Sequence, residues 1–154
     1  MHTLGTFGRK AYLAAAFSLL ALGPGQLFGD DTAARARLIG AWQPQDPGNK
    51  DAGSWTFESK GADVMHVIYS VGDQKIVEFE CGTTGQECKV KDSGKSAKVS
   101  MWFSGPSLVE LETRGEEVVK RKFGVGDRGS LEVEVVPIQP DGKTEKIEFR
   151  RIKQ

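Results

Sequence analysis

The chain has 154 residues, with 21 Lys and Arg against 21 Asp and Glu and two His, so its formal charge at pH 7 is zero. A balance of that kind excludes nucleic acid or an anionic membrane surface as the main partner. No apolar run reaches the roughly 20 residues that a membrane-spanning helix needs.

At the N-terminus, Arg9 and Lys10 precede an apolar stretch, Ala11 to Leu22, that has the length of a signal-peptide hydrophobic region. Pro24 and Gly25 break any helix there, and Gly29 supplies a small residue before an expected cleavage. Residues 1–29 are therefore expected to be a signal peptide, and residues 30–154 a single mature domain of about minus two charge, Arg9 and Lys10 having been lost. No Cys follows the apolar stretch to carry a lipid, so the expected destination is the periplasm or the outside of the cell, with no membrane span after cleavage.

Asp31 to Leu38 predicts a short helix, with Asp30 or Asp31 as N-cap and Gly40 just past its end. Residues 43–53, rich in Pro, Gly and Asp, predict one long loop, either a cover for one end of the fold or a plain connector. Everything later predicts strands: 63–71, 74–80, 86–91, 97–103, 108–113, 118–125, 131–137 and 145–152, rich in Val, Ile, Phe and Thr, with Gly- and Asp-containing turns between them at a spacing of roughly ten residues. Several alternate with period two. Val77, Phe79 and Cys81 oppose Glu78 and Glu80, Val99, Met101 and Phe103 oppose Lys98 and Ser100, and Leu131, Val133 and Val135 oppose Glu132 and Glu134. Such strands bury one face. The expected fold is all-β, an antiparallel meander of eight to ten strands closed into a barrel, with a two-sheet sandwich as the alternative.

Cys81 and Cys88 flank Gly-containing turn residues in a chain bound for an oxidising compartment, and a disulfide across a hairpin is expected. After cleavage His66 is the one His left, too few with two Cys for a metal site, and no cofactor is expected. The run Lys120-Arg121-Lys122 lies beside strands carrying Glu110, Glu112, Glu132 and Glu134, so these charges are expected on a solvated face. Nucleophile elbows, zinc-helix motifs and phosphate loops are all missing from the sequence, so no enzyme is expected. Trp102 runs out of phase with Met101 and Phe103 and, with His66, is a candidate for contact with a partner.

Leu38-Ile39-Gly40-Ala41-Trp42 resembles the Gly-x-Trp entry of the lipocalins and the wider calycin barrels, where a short helix leads into the first strand. The resemblance implies that Trp42 closes one end of the barrel under a basic residue of the last strand. Phe149-Arg150-Arg151-Ile152 offers Arg151 for that place. The local Cys81–Cys88 pair and a strand count nearer ten than eight depart from the lipocalin pattern. The function implied is binding of a small hydrophobic molecule inside the barrel, without a cofactor. The alternative is an interaction protein, such as a barrel-type protease inhibitor or envelope scaffold, whose core is filled by Phe57, Phe79, Phe103, Phe123 and Phe149.

Overall fold

The computed structural model describes residues 29–49, 52–92 and 94–153. The expected signal segment, apart from Gly29, lies outside them. Helix α1 (Gly29–Leu38) is followed by ten strands: β1 (Gly40–Pro44), β2 (Ser54–Ser59), β3 (Val64–Val71), β4 (Gln74–Gly82), β5 (Thr84–Asp92), β6 (Lys95–Ser104), β7 (Ser107–Arg114), β8 (Glu117–Val125), β9 (Leu131–Gln139) and β10 (Glu145–Arg151). All pair antiparallel in one sheet, in the order β4-β3-β2-β1-β10-β9-β8-β7-β6-β5. Consecutive strands neighbour one another at every step but one, from β4 to β5. The first and last strands pair, Trp42 opposite Arg151, and β4 and β5 stand at the two free edges.

This is the expected all-β meander, curled into a nearly closed barrel rather than split into a sandwich. The two strands without a clear sequence signal are β1 and β2, which flank the long loop. Gln43 and Pro44 extend β1, so the loop begins only after Pro44. Pro44 is tolerated because it is the last residue of its strand.

The expected hairpin around the cysteines does not form. A single residue, Thr83, separates β4 from β5, and the two strands diverge without a hydrogen-bonded ladder. The Cys81–Cys88 disulfide, with its Cα atoms 5.8 Å apart, therefore ties together the two edges of the sheet instead of stapling a turn. Free edges invite pairing with other chains, and here a covalent bond holds them against each other.

The barrel has two unlike ends. Helix α1 and the connections at 60–63, 83, 105–106 and 126–130 gather at one of them, and the segments 45–49 and 52–53 with the connections at 72–73, 94, 115–116 and 140–144 at the other. The helix end is packed solid. Trp42, Phe57, Met65, Met101, Leu108 and Leu131 are all fully buried there and in the adjoining mid-section. Leu38 adds the apolar face of the helix to this core.

Candidate functional site

Arg151 leaves the end of β10 and folds back over the helix end of the barrel. Its guanidinium carbon lies 4.2 Å from the centre of the Trp42 ring. Its Nη1 donates to the Ile39 carbonyl and its Nη2 to the Arg37 carbonyl at 2.6 Å. These are carbonyls at the C-terminal end of α1 that no helical N–H can reach, so one cation satisfies the helix terminus and covers the indole together. Trp42 in turn donates its Nε1–H to Leu38 O at 2.9 Å. Gly40 has φ of +133°, and a Cβ there would lie 2.2 Å from Arg151 Nη1. The backbone conformation itself requires the glycine of the Gly-x-Trp entry, and a side chain there would also displace the Arg151 guanidinium.

At the opposite end the barrel is hollow. A cavity of about 250 Å³ lies between the walls. Trp55, Tyr69, Val77 and Phe79 form one side, and Val133, Val135, Ile147 and Phe149 another. The aromatic wall is interlocked: Trp55 is 4.6 Å from Tyr69 and 5.0 Å, edge to face, from Phe123. Ala52 contributes to the lining from the loop above, and the neighbouring Gly53 N–H donates to Tyr69 Oη at 3.0 Å. A Cβ on Gly53 would meet Ser70 O at 2.1 Å, so only glycine lets the loop come this close. The descending end of the long loop is therefore part of the rim, in line with the cover reading.

The polar part of the cavity comes from β7 and β8, and here the sequence reading needs correction. Glu110, Glu112 and Arg121 do not lie on a solvated face. Leu108 pairs with Phe123 across the ladder and Glu110 pairs with Arg121. Leu108 and Phe123 are core residues, and with period two their faces carry Glu110, Glu112 and Arg114 on β7 and Arg121 on β8 to the interior. The outward residues of β7 are the apolar ones, Val109 and Leu111.

The four charges form a chain running from depth to rim. Arg121 Nη1 donates to Glu110 Oε1 at 2.6 Å and to Glu112 Oε2 at 2.7 Å. Arg114 donates from Nε and Nη2 to Glu112 Oε1 at 3.0 and 2.9 Å. Glu110 is the deepest, 2 % exposed. Burial pushes its carboxyl above the ordinary carboxylate value, against the pull of Arg121. Burial acts the same way on Glu112, but two arginines more than offset it and hold that carboxyl below the ordinary value. Arg121, desolvated yet flanked by two carboxylates, is raised. Glu110 Oε2 is buried and has no hydrogen-bond partner among the described residues. On the β6 side its register partner is Met101, which offers none.

The remaining sequence candidates lie on the outside. His66 faces outward from β3, with Nδ1 3.0 Å from Glu58 Oε2 and Nε2 3.1 Å from Glu78 Oε1, bridging β2 to β4. Among the described residues no group of His, Cys, Asp and Glu is arranged to hold a metal ion. Trp102 is half-buried on the outer face of β6, opposite Val109 in register. Neither residue reaches the cavity. The charged cluster inside the barrel was missed because Glu and Arg in strands are ordinarily surface residues. The signal that exposes it is the spacing of Glu110 and Arg121 two residues from Leu108 and Phe123.

No family model matches the chain, and no curated protein is significantly similar to it in sequence. Its fold does have solved counterparts. The fluorescent protein UnaG superposes with a TM-score of 0.60 at 17 % identity, over 76 % of this chain and 98 % of that one. The secretory abundant heat soluble protein 4 from Ramazzottius varieornatus superposes with a TM-score of 0.58 at 17 % identity, over 76 % and 96 %. At this identity the likeness is one of fold, a calycin-like barrel.

Proposed function

We propose that this chain is an exported, non-enzymatic binding protein that carries a small hydrophobic molecule inside its barrel. The observation behind this reading is the interior cavity of about 250 Å³, walled by apolar and aromatic side chains and furnished with a few converging polar groups at one side. That is the composition of ligand pockets in general, and the volume is just below the roughly 300 Å³ at which their usual range begins. The five phenylalanines that argued for a filled barrel divide between the two halves. Phe57 and Phe123 pack the core, the half-buried Phe103 packs against it under Arg35, and Phe79 and Phe149 line the cavity.

Export is supported by the apolar leader and by the disulfide, which an oxidising compartment would preserve. The fold neighbour described as secretory accords with it. Among the described residues no helix is long and apolar enough to cross a membrane. Protein purified from an oxidising compartment, studied by native mass spectrometry and then by organic extraction, provides the test. A co-purifying small apolar molecule, or quenching of Trp55 fluorescence by added apolar ligands, is the expected result. A clean apo mass together with unchanged fluorescence across a panel of lipids and alcohols would defeat the reading.

A further inference from the structure

The cavity does not stop at the charged wall. A second space of about 270 Å³ lies beyond it, between the β3–β4 and β7–β8 hairpins. The two spaces meet at a neck whose five side chains line both: Tyr69 and Val77 on one side, Glu112, Arg114 and Arg121 on the other. Two local features turn apolar side chains into this vestibule. Ser70 pairs with Lys75 and Tyr69 with Val77, so β4 carries one residue more than β3 and Ile76 is bulged out of the ladder. A bulge takes a side chain off strict alternation, and here it sets Ile76 beside Val77 in the vestibule wall. On β8, Val119 lies two residues before Arg121 and shares its inward face, which completes the facing wall. The exposed Glu117 stands at the outer edge, where the vestibule meets solvent.

Inner space and vestibule offer different surroundings to a polar group. Around the inner space the charged side chains are engaged with one another, Arg121 donating to Glu110 and Glu112 and Arg114 to Glu112. The rest of that wall, including Trp55, Phe79, Val99, Val133 and Phe149, is apolar. A polar end pushed to this depth would shed its hydration without a ready partner. An apolar chain gains there with every methylene removed from water. On the reading that the cavity holds an apolar molecule, we infer that the site is bipartite and takes an elongated, single-chain amphiphile tail first. The tail lies beside Trp55, the chain passes the neck, and the polar end stays hydrated in the vestibule between Ile76 and Val119. A compact molecule fills one of the two spaces, whereas an extended chain buries apolar surface in both.

Bromine quenches indole fluorescence on contact, and of the three tryptophans Trp55 is the one that lines the cavity. The disulfide-bonded protein is titrated with 12-bromododecanoic acid and with 2-bromododecanoic acid. At saturation the 12-bromo acid is expected to remove at least twice as much fluorescence as the 2-bromo acid, and Trp55→Phe should erase the difference. Equal quenching by the two acids, or stronger quenching by the 2-bromo acid, would overturn the tail-first orientation. Val119→Trp narrows the vestibule. By calorimetry it is expected to weaken dodecanoate at least tenfold, and at least threefold more than it weakens 1-hexanol, which is short enough for the inner space alone. Equal losses for the two would show that the vestibule is no part of the site. If the native chain binds hexanol but neither bromo acid, the bipartite site is wrong while the cavity reading stands; if it binds none of them, the cavity reading itself fails. The bromine comparison needs only the native chain, so it decides the orientation even if a variant folds poorly.

Discussion

Two arginines illustrate how much a single side chain can organise. Arg151 makes three contacts with the helix end, two to carbonyls and one to the Trp42 ring. The Gly-x-Trp entry and the terminal Arg pointed to this pairing, because the residue types and their places at the two chain ends were enough. The pairing is tested as an energetic coupling. Trp42→Ala and Arg151→Ala are each expected to destabilise, and the double variant should cost about 0.5–1 kcal/mol less than their sum, measured by thermal or denaturant unfolding. Arg151→Lys is expected to recover only part of the loss, since an ammonium lacks the planar fork that reaches both carbonyls. Arg121 was not legible, and its partner Glu110 has a pH signature. A carboxyl whose value rises on folding adds stability below the unfolded value of 4.5, and that contribution disappears as the pH climbs through the folded value. Relative to Glu110→Gln, the native protein is therefore expected to lose melting temperature as the pH is raised above 4.5. Glu112, held low, acts in the opposite sense and withdraws its contribution as the pH falls below 4.5. A melting-temperature difference that stays flat between pH 4 and 8 would contradict the burial of Glu110.

Among the strands, alternation located most of the sheet and misled at one place. In β4, β6, β9 and β10 the apolar residues are the inward ones, as read from the sequence. Strand β7 inverts this, with Val109 and Leu111 outside and Glu110 and Glu112 inside. The register is set by neighbours rather than by the strand's own hydrophobicity: Leu108 must meet Phe103 and Phe123 at the helix end, and a period of two then decides every later residue. The second misreading, the hairpin at the cysteines, has a similar origin. Spacing says that two cysteines can meet but not whether their strands are paired, and only the order of the whole sheet shows that β4 and β5 are its edges. The disulfide is expected to contribute about 2–3 kcal/mol through its short closed loop. Replacing both cysteines by Ala should lower stability by that amount. It should also speed amide exchange in β4 and β5 more than in β1 and β10, where both sides of each strand are hydrogen-bonded. Uniform exchange across the sheet would show that the bond does not hold the seam.

For the molecule as a whole, one meander yields a solid end and a hollow one. Aromatic and sulfur-containing side chains fill the barrel beside α1, while smaller residues such as Val77, Val99 and Val135, with the charged chain opposite, leave space toward the loop 45–53. A ligand that fills this space should stabilise the folded state with the logarithm of its concentration over its dissociation constant, and a saturating small apolar ligand is expected to raise the melting temperature by several degrees. Gly53→Ala forces the loop away from Ser70 and Tyr69. It is expected to reduce that ligand-dependent gain more than it reduces the stability of the empty protein.

The seam between β4 and β5 also bears on how the protein has to be made. Ten strands close on themselves everywhere except here, so a chain synthesised in a reducing compartment keeps both edges open, each presenting unpaired N–H and C=O groups to its neighbours. Formation of the Cys81–Cys88 bond then decides between a self-contained barrel and a strand-exchanging assembly. The two cysteines thus guard against association through the sheet edges as well as adding stability.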